Sequence, residues 1–299
     1  MNLQAAVQFM YAPQNYTAGF EMSGVAGEAM MRGMGVLFLM WCVPYIFASI
    51  HPVKYHVALV SAVIMQFIGV VGESLILATI PGSHVMIHAS VTRFILFDGG
   101  GLIVLLAALL LVLAAWQLGP LPLKLVPGAL LFLFGYSFTK RFTWLSHFIL
   151  GFTDALAPAG AWAAVKGSLF AAADLPAWLL TAIVTLWIGG FDLIYACQDI
   201  DVDRRDRLCA IPARFGIAFA LQLSTLSHGL TVLLLAALGW VIGLAWPYWL
   251  GVGITAGLLA WEHSLVKPDD LSRVNVAFFN VNSYISLTLL SAVLAALWI

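Results

Sequence analysis

The sequence predicts an all-α fold, a polytopic membrane bundle of about nine transmembrane helices. Composition is the first reason. Of the 299 residues, 63% are hydrophobic and 9% are charged, with a mean hydropathy of +1.01. Soluble domains lie nearer half apolar and a quarter charged. Distribution is the second: the apolar residues form continuous runs of roughly the 20 residues that a helix needs to cross a bilayer. An outer-membrane barrel would instead alternate polar and apolar residues in segments of about ten. The formal net charge of −1 says little about partners, and no basic stripe suggests nucleic acid.

The runs fall at 34–50, 56–80, 100–118, 126–139, 145–165, 177–197, 213–235, 238–260 and 276–298. The start, "MNLQAAVQFMYAPQNYTAGFEM", lacks the basic start and compact apolar run of a signal peptide. Insertion is therefore expected to rely on the first span. Cys42, Cys197 and Cys209 form neither a CxxC nor an even set, so packing rather than bridging is expected of them.

Basic residues orient the bundle. Lys140 and Arg141 follow the fourth span, Arg204, Arg205, Arg207 and Arg214 lie between the sixth and seventh, and Lys267 and Arg273 between the eighth and ninth. Nine crossings put these on one face, with Arg93 of the 81–99 loop. Lys54, Lys124 and Lys166 fall on the other. The positive-inside rule makes the first face cytoplasmic.

That face carries an acidic cluster. "DLIYACQDIDVDRRDRLCAIPARFG" begins at Asp192, and five of the chain's 14 acidic residues lie between Asp192 and Asp206. On a continuous α-helix Asp192, Asp199 and Asp203 point within about 20° of one direction, and Asp201 roughly opposite. Stacked carboxylates disfavour a helix unless something cationic compensates them. Hard oxygen donors at this density suit Mg²⁺, which bridges carboxylates to a substrate phosphate. Asp192 also lies within an apolar run, where an acid normally faces a cavity or a partner. Lys140 and Arg141 are topology signals that could also hold diphosphate oxygens. Asn275, Asn280 and Asn282 enter the last span, where amides need hydrogen-bond partners. Pro268 breaks a helix there, and "DDLS" (269–272) is a plausible start for the next.

The segment from Asp192 resembles the second aspartate motif of the UbiA family of intramembrane prenyltransferases, DxxYAxQDxxxD. Its matching residues are Asp192, Tyr195, Gln198, Asp199 and Asp203. "GYSFTKRFTWLSHFILGFTDALAPAGAWAAV" (135–165) is similar to the family's YPFxKRxT stretch, and "LVLAAWQLGPLPLKL" (111–125) to its third helix. "EHSLVKPDDLSRVNVAFFNVNSYIS" (262–286) resembles the subgroup tied to menaquinone synthesis by the futalosine route. The resemblance covers about 103–299 and leaves 1–102 as a two-helix membrane segment of another kind. It implies an enzyme that moves a polyprenyl group from its diphosphate to an aromatic acceptor in menaquinone or ubiquinone synthesis. Asp192, Asp199 and Asp203 would bind Mg²⁺, with Asp192, Asp199 and Tyr195 at the reacting groups. Lys140, Arg141, Gln198 and Asn275 would contact substrate, and the bilayer would hold the prenyl tail.

The family's first motif, NDxxDxxxD, has no counterpart in 1–102. The only acids there are Glu21, Glu28, Glu73 and Asp98. His84 and His88 are spaced i,i+4 as in helical zinc sites, with no third ligand nearby. A diphosphate leaving group needs its charge neutralised, so Glu73, Asp98 or a partner chain must compensate. Failing that, the chain is an impaired or non-catalytic binder of prenyl diphosphate. A secondary transporter is a third reading, but no internal repeat supports it.

Overall fold

Thirteen α-helices follow one another among the residues that the computed structural model describes, 2–299. They divide into two compact units, Met1–Pro127 and Gly128–Ile299. The first holds α1 (Asn2–Tyr11), α2 (Gln14–Thr17), α3 (Gly24–Ile50), α4 (His56–Thr79) and α5 (Val85–Leu118). The boundary falls inside α6 (Pro120–Gly135). The second unit holds α7 (Ser146–Lys166), α8 (Leu175–Ala196), α9 (Ile200–Arg205), α10 (Ile211–Phe215), α11 (Ile217–Ile242), α12 (Trp246–Leu265) and α13 (Asn282–Trp298).

Among the described residues, eight stretches are helical, long and apolar enough to cross a membrane. The 20-residue α12 is not one of them, because Trp246, Pro247, Tyr248, Glu262 and His263 dilute its hydropathy. Its length, roughly 30 Å at 1.5 Å per residue, still matches a bilayer core.

Several boundaries differ from the sequence expectation. The 81–99 loop is largely helix, since α5 runs unbroken through "DGGG". Gly101 is a packing position, where a Cβ would meet the Gln66 amide nitrogen at 2.8 Å, whereas Gly99 and Gly100 face open space. The first span reaches back to Gly24 through "GEAMMRGMG", and the eighth begins at Trp246, after the turn at the end of α11. The last helical segment begins at Val274, two residues past "DDLS", and Val276–Val281 is a π-helical turn feeding α13. Pro268 instead sits in a tight turn closed by the Lys267–Asp270 bridge.

In the first unit α1 lies on α3, with the Phe9 and Phe38 rings 5.7 Å apart. Tyr45 donates from α3 to Gln66 on α4, and Gln66 Nε2 donates 3.0 Å to the Asp98 carbonyl on α5. In the second unit small residues let backbones approach, as is usual where lipid removes the hydrophobic drive between helices. Gly151 on α7 lies against the Thr185 carbonyl on α8, and Gly190 against the His228 ring on α11. Gly239 lies against Tyr248 on α12, and Gly251 against Ala292 on α13. Leucines point outward along the same helices, Leu233 at 65% and Leu294 at 58% exposure, as lipid contact requires.

Candidate functional site

The acidic segment starts in the last turns of α8. After Ala196 the helix tightens into a 3₁₀ turn, Cys197–Asp199, before α9 resumes at Ile200. Three residues at three per turn rotate α9 by roughly 60° relative to a continuous α-helix. The spread of Asp192, Asp199 and Asp203 about the helix axis therefore widens from about 40° to roughly 80°, and Asp192 and Asp203 meet different partners.

Asp192 meets α7. His147 Nδ1 lies 2.6 Å from Asp192 Oδ2, with His147 1% exposed and Asp192 24%. The Ile211 amide points at His147 Nε2 from 3.4 Å. An amide can only donate, so Nε2 accepts and Nδ1 carries the proton given to Asp192. A neutral imidazole thus orients one oxygen of Asp192.

Asp203 is 2% exposed. Lys140 Nζ donates to its Oδ1 at 3.1 Å and lies 3.0 Å from Oδ2. An isolated carboxylate at that burial would be costly; the lysine supplies the counter-charge. A second tie runs beside it, from the Cys209 amide to the Lys140 carbonyl at 2.7 Å. Arg207, with φ of 56°, makes the left-handed turn that brings the chain back to that point.

The remaining expected residues are more dispersed. Asp199 is half-buried at the end of the 3₁₀ turn, and Gln198, Asp201 and Asn275 are exposed. Tyr195 is half-buried in an aromatic cluster, its ring 4.4 Å from Phe278 and 6.2 Å from Phe279. Arg205 and Asp206 form an exposed ion pair at 3.0 Å. Arg204 donates to the Ala213 carbonyl. On the loop before α13, the Ser272 amide donates to Asp270 Oδ1 at 3.0 Å. Hydrogen bonds from Ser272 hold that carboxyl below its ordinary range.

Lys140 and Arg141 also line an open pocket of about 550 Å³ with Ser137, Asp206, Arg207 and Leu208. Lys140 is already paired with Asp203, so Arg141 and Arg207 against Asp206 leave the excess of positive charge that suits a polyanion. Among the described residues no three His, Cys, Asp or Glu side chains converge to cage a metal by themselves. Mg²⁺ does not require such a cage: it takes one or two carboxylates and completes its shell with water and substrate phosphate. Asp192 and Asp199 fit that role as oxygen donors.

Sequence reasoning missed His147, although a histidine inside an apolar run was a signal. It also missed a buried network. Fully buried Glu262 lies 3.6 Å from His228 Nδ1, which is 3.0 Å from His263 Nε2. Asn282 donates to Glu262 and accepts from Trp187 Nε1 at 2.9 Å. Asn282 is therefore a helix-to-helix bridge. His84 and His88 share no ligand: the first meets Glu21 at 2.6 Å, the second the Ile80 carbonyl at 3.0 Å.

A family model described as the UbiA prenyltransferase family matches residues 98–284, more than half of the chain. A 4-hydroxybenzoate octaprenyltransferase from Neisseria gonorrhoeae is 36% identical over 167 residues, 54% of each chain. One from Vibrio cholerae is 33% identical over 174 residues, 56% of this chain and 57% of its own. The chain thus spans a little over half the length of these curated relatives. Among solved structures, the apo structure of a UbiA homolog from Aeropyrum pernix K1 is similar in fold, with a TM-score of 0.55 and 22% identity. That likeness covers 98% of this chain and 97% of the other.

Proposed function

The chain belongs to the UbiA prenyltransferase family, and on that basis we propose that it moves a polyprenyl group from its diphosphate to an aromatic ring at the membrane. The observation that carries this is the aspartate segment itself, lying within the matched residues and tied at Asp203 to Lys140. The acceptor belongs to quinone biosynthesis, menaquinone or ubiquinone.

Each role rests on the surroundings of its side chain. Arg141 and Arg207 draw the diphosphate into the polyanion pocket, which Lys140 lines beside its partner Asp203. Asp192, oriented by His147, and Asp199 would hold Mg²⁺ when it is bound. The chemistry this ion supplies is neutralisation of charge on the leaving group. Tyr195 presents an aromatic face beside Phe278 to the allylic carbons, where developing positive charge is stabilised by a ring face. The lipid-facing helices leave the prenyl tail in an apolar environment. The acidic face is cytoplasmic in this reading, in a bacterial inner membrane.

The test is Mg²⁺-dependent pyrophosphate release by the purified chain. Asp192→Ala and Asp199→Ala are each expected to lower the rate by about a hundredfold or more, roughly 2.7 kcal/mol of barrier. Unchanged release in both variants overturns the assignment. Binding of prenyl diphosphate without turnover, even in saturating Mg²⁺, would identify a non-catalytic binder instead, which the lack of a first aspartate motif would explain.

A further inference from the structure

The first unit contains a second cavity with a different chemistry. It lies between α3, α4 and α5, measures about 130 Å³ and is lined by Met34, Leu37, Phe38, Trp41, Glu73 and Phe94. All six residues precede position 98, where the family match begins. Phe38 stacks with Phe94 at 5.9 Å and meets Trp41 edge-on at 5.7 Å. One group in this apolar lining is out of place: Glu73 Oε2 is buried and has no hydrogen-bond partner.

We propose that this cavity binds a single uncharged hydroxyaromatic ring, whose hydroxyl donates to Glu73. Size sets the ring count, because an apolar cavity of about 150 Å³ accommodates benzene. The lining sets the character of the ring, since aromatic and thioether side chains favour a flat apolar ligand. Glu73 sets the polar group: an unpaired buried carboxylate oxygen calls for a donor. It also sets a selectivity. A carboxylate on the ligand would either place its charge beside Glu73 in a poorly screened site or force Glu73 to take up a proton. Asp98, 5% exposed on α5, adds another acid to the interior of the same unit. A hydroxybenzoate is therefore disfavoured against a neutral phenol. Binding is separable from prenyl transfer, although a neutral phenolic acceptor would be one such ligand.

The experiment uses the full chain in detergent and ¹⁹F NMR of 4-fluorophenol. Saturable broadening is expected, weakened at least tenfold by Glu73→Leu, while 4-fluorotoluene binds both proteins alike. Glu73→Gln keeps an acceptor and the side-chain shape, so it is expected to retain 4-fluorophenol. In that variant 4-hydroxybenzoate should become a competitor, whereas the parent chain needs at least tenfold more of it than of phenol. Equal binding of 4-fluorophenol to the parent and Glu73→Leu overturns the site. Equal competition by phenol and 4-hydroxybenzoate in the parent overturns the selectivity. Stronger displacement by tetramethylammonium overturns the ligand class in favour of a cation. Asp192→Ala is expected to leave this binding unchanged, so failure here and failure of the transfer reading are distinguishable.

Discussion

Lys140 serves two surroundings at once: its ammonium neutralises Asp203, and its stem lines the polyanion pocket. Replacing it with methionine keeps the stem and strands a buried carboxylate. Lys140→Met should lower stability by about 2 kcal/mol, with the lysine's 30% exposure reducing the loss expected of a fully buried pair. Asp203→Asn in the same chain should restore part of it, and thermal unfolding of the four proteins of the cycle reads the coupling. At this scale the sequence marked individual residues and left their partners unmarked. The DxxYAxQDxxxD spacing marked Asp192, Asp199 and Asp203. The residue that orients Asp192 is 45 positions away, and no local pattern links them. Asp203, marked by the same spacing, has its partner in a lysine 63 residues away.

The helices of the second unit stand on glycines. Gly151 has no room for a Cβ, which would run into the Thr185 carbonyl and come 3.1 Å from the Gly189 amide. Backbone cannot give way as a side chain can, so Gly151→Ala should separate α7 from α8. A loss of roughly 1–3 kcal/mol is expected, measurable as a lower unfolding temperature in detergent. Activity should fall with it, because His147 and Asp192 face each other across that interface. Gly160→Ala, whose Cβ meets nothing within 4 Å, is the control and should be neutral or better. Helix existence was readable from hydropathy, but helix ends were not. The sequence reads as a loop ending at Gly99 and a span starting at Gly100, because glycine is a poor helix former in isolation. Here Gly101 makes room for the Gln66 side chain, and packing outweighs propensity. The 3₁₀ turn at Cys197–Asp199 carries no sequence signal, and it widens the angular spread of the three carboxylates.

For the chain as a whole the open quantity is sidedness. The distribution of basic residues puts Arg204 and Lys267 on one face and Lys166 on the other, which requires α11 and α12 both to cross. Cys42 and Cys197 are buried, and Cys209 can be replaced by serine. In that background Arg204→Cys and Lys267→Cys should react with an impermeant maleimide in inverted vesicles, and Lys166→Cys in intact cells. Labelling of Arg204→Cys and Lys267→Cys from opposite sides would mean that only one of α11 and α12 crosses. All three positions are exposed, so reactivity reports the side rather than burial. Composition was enough for the fold class at this scale. The division into two compact units at 127/128 was not readable, because it falls inside a helix with no linker, charge run or change in hydropathy.

The stretch from Asp203 to Cys209 is held at both ends by one residue, through the Lys140 ammonium at one end and the Lys140 carbonyl at the other. It is a strap of set length. Its exposed arginines, Arg204 and Arg205, can drift in identity with little effect on either knot. An inserted or deleted residue cannot be absorbed without untying one end. For this strap, residue count is under tighter constraint than residue type.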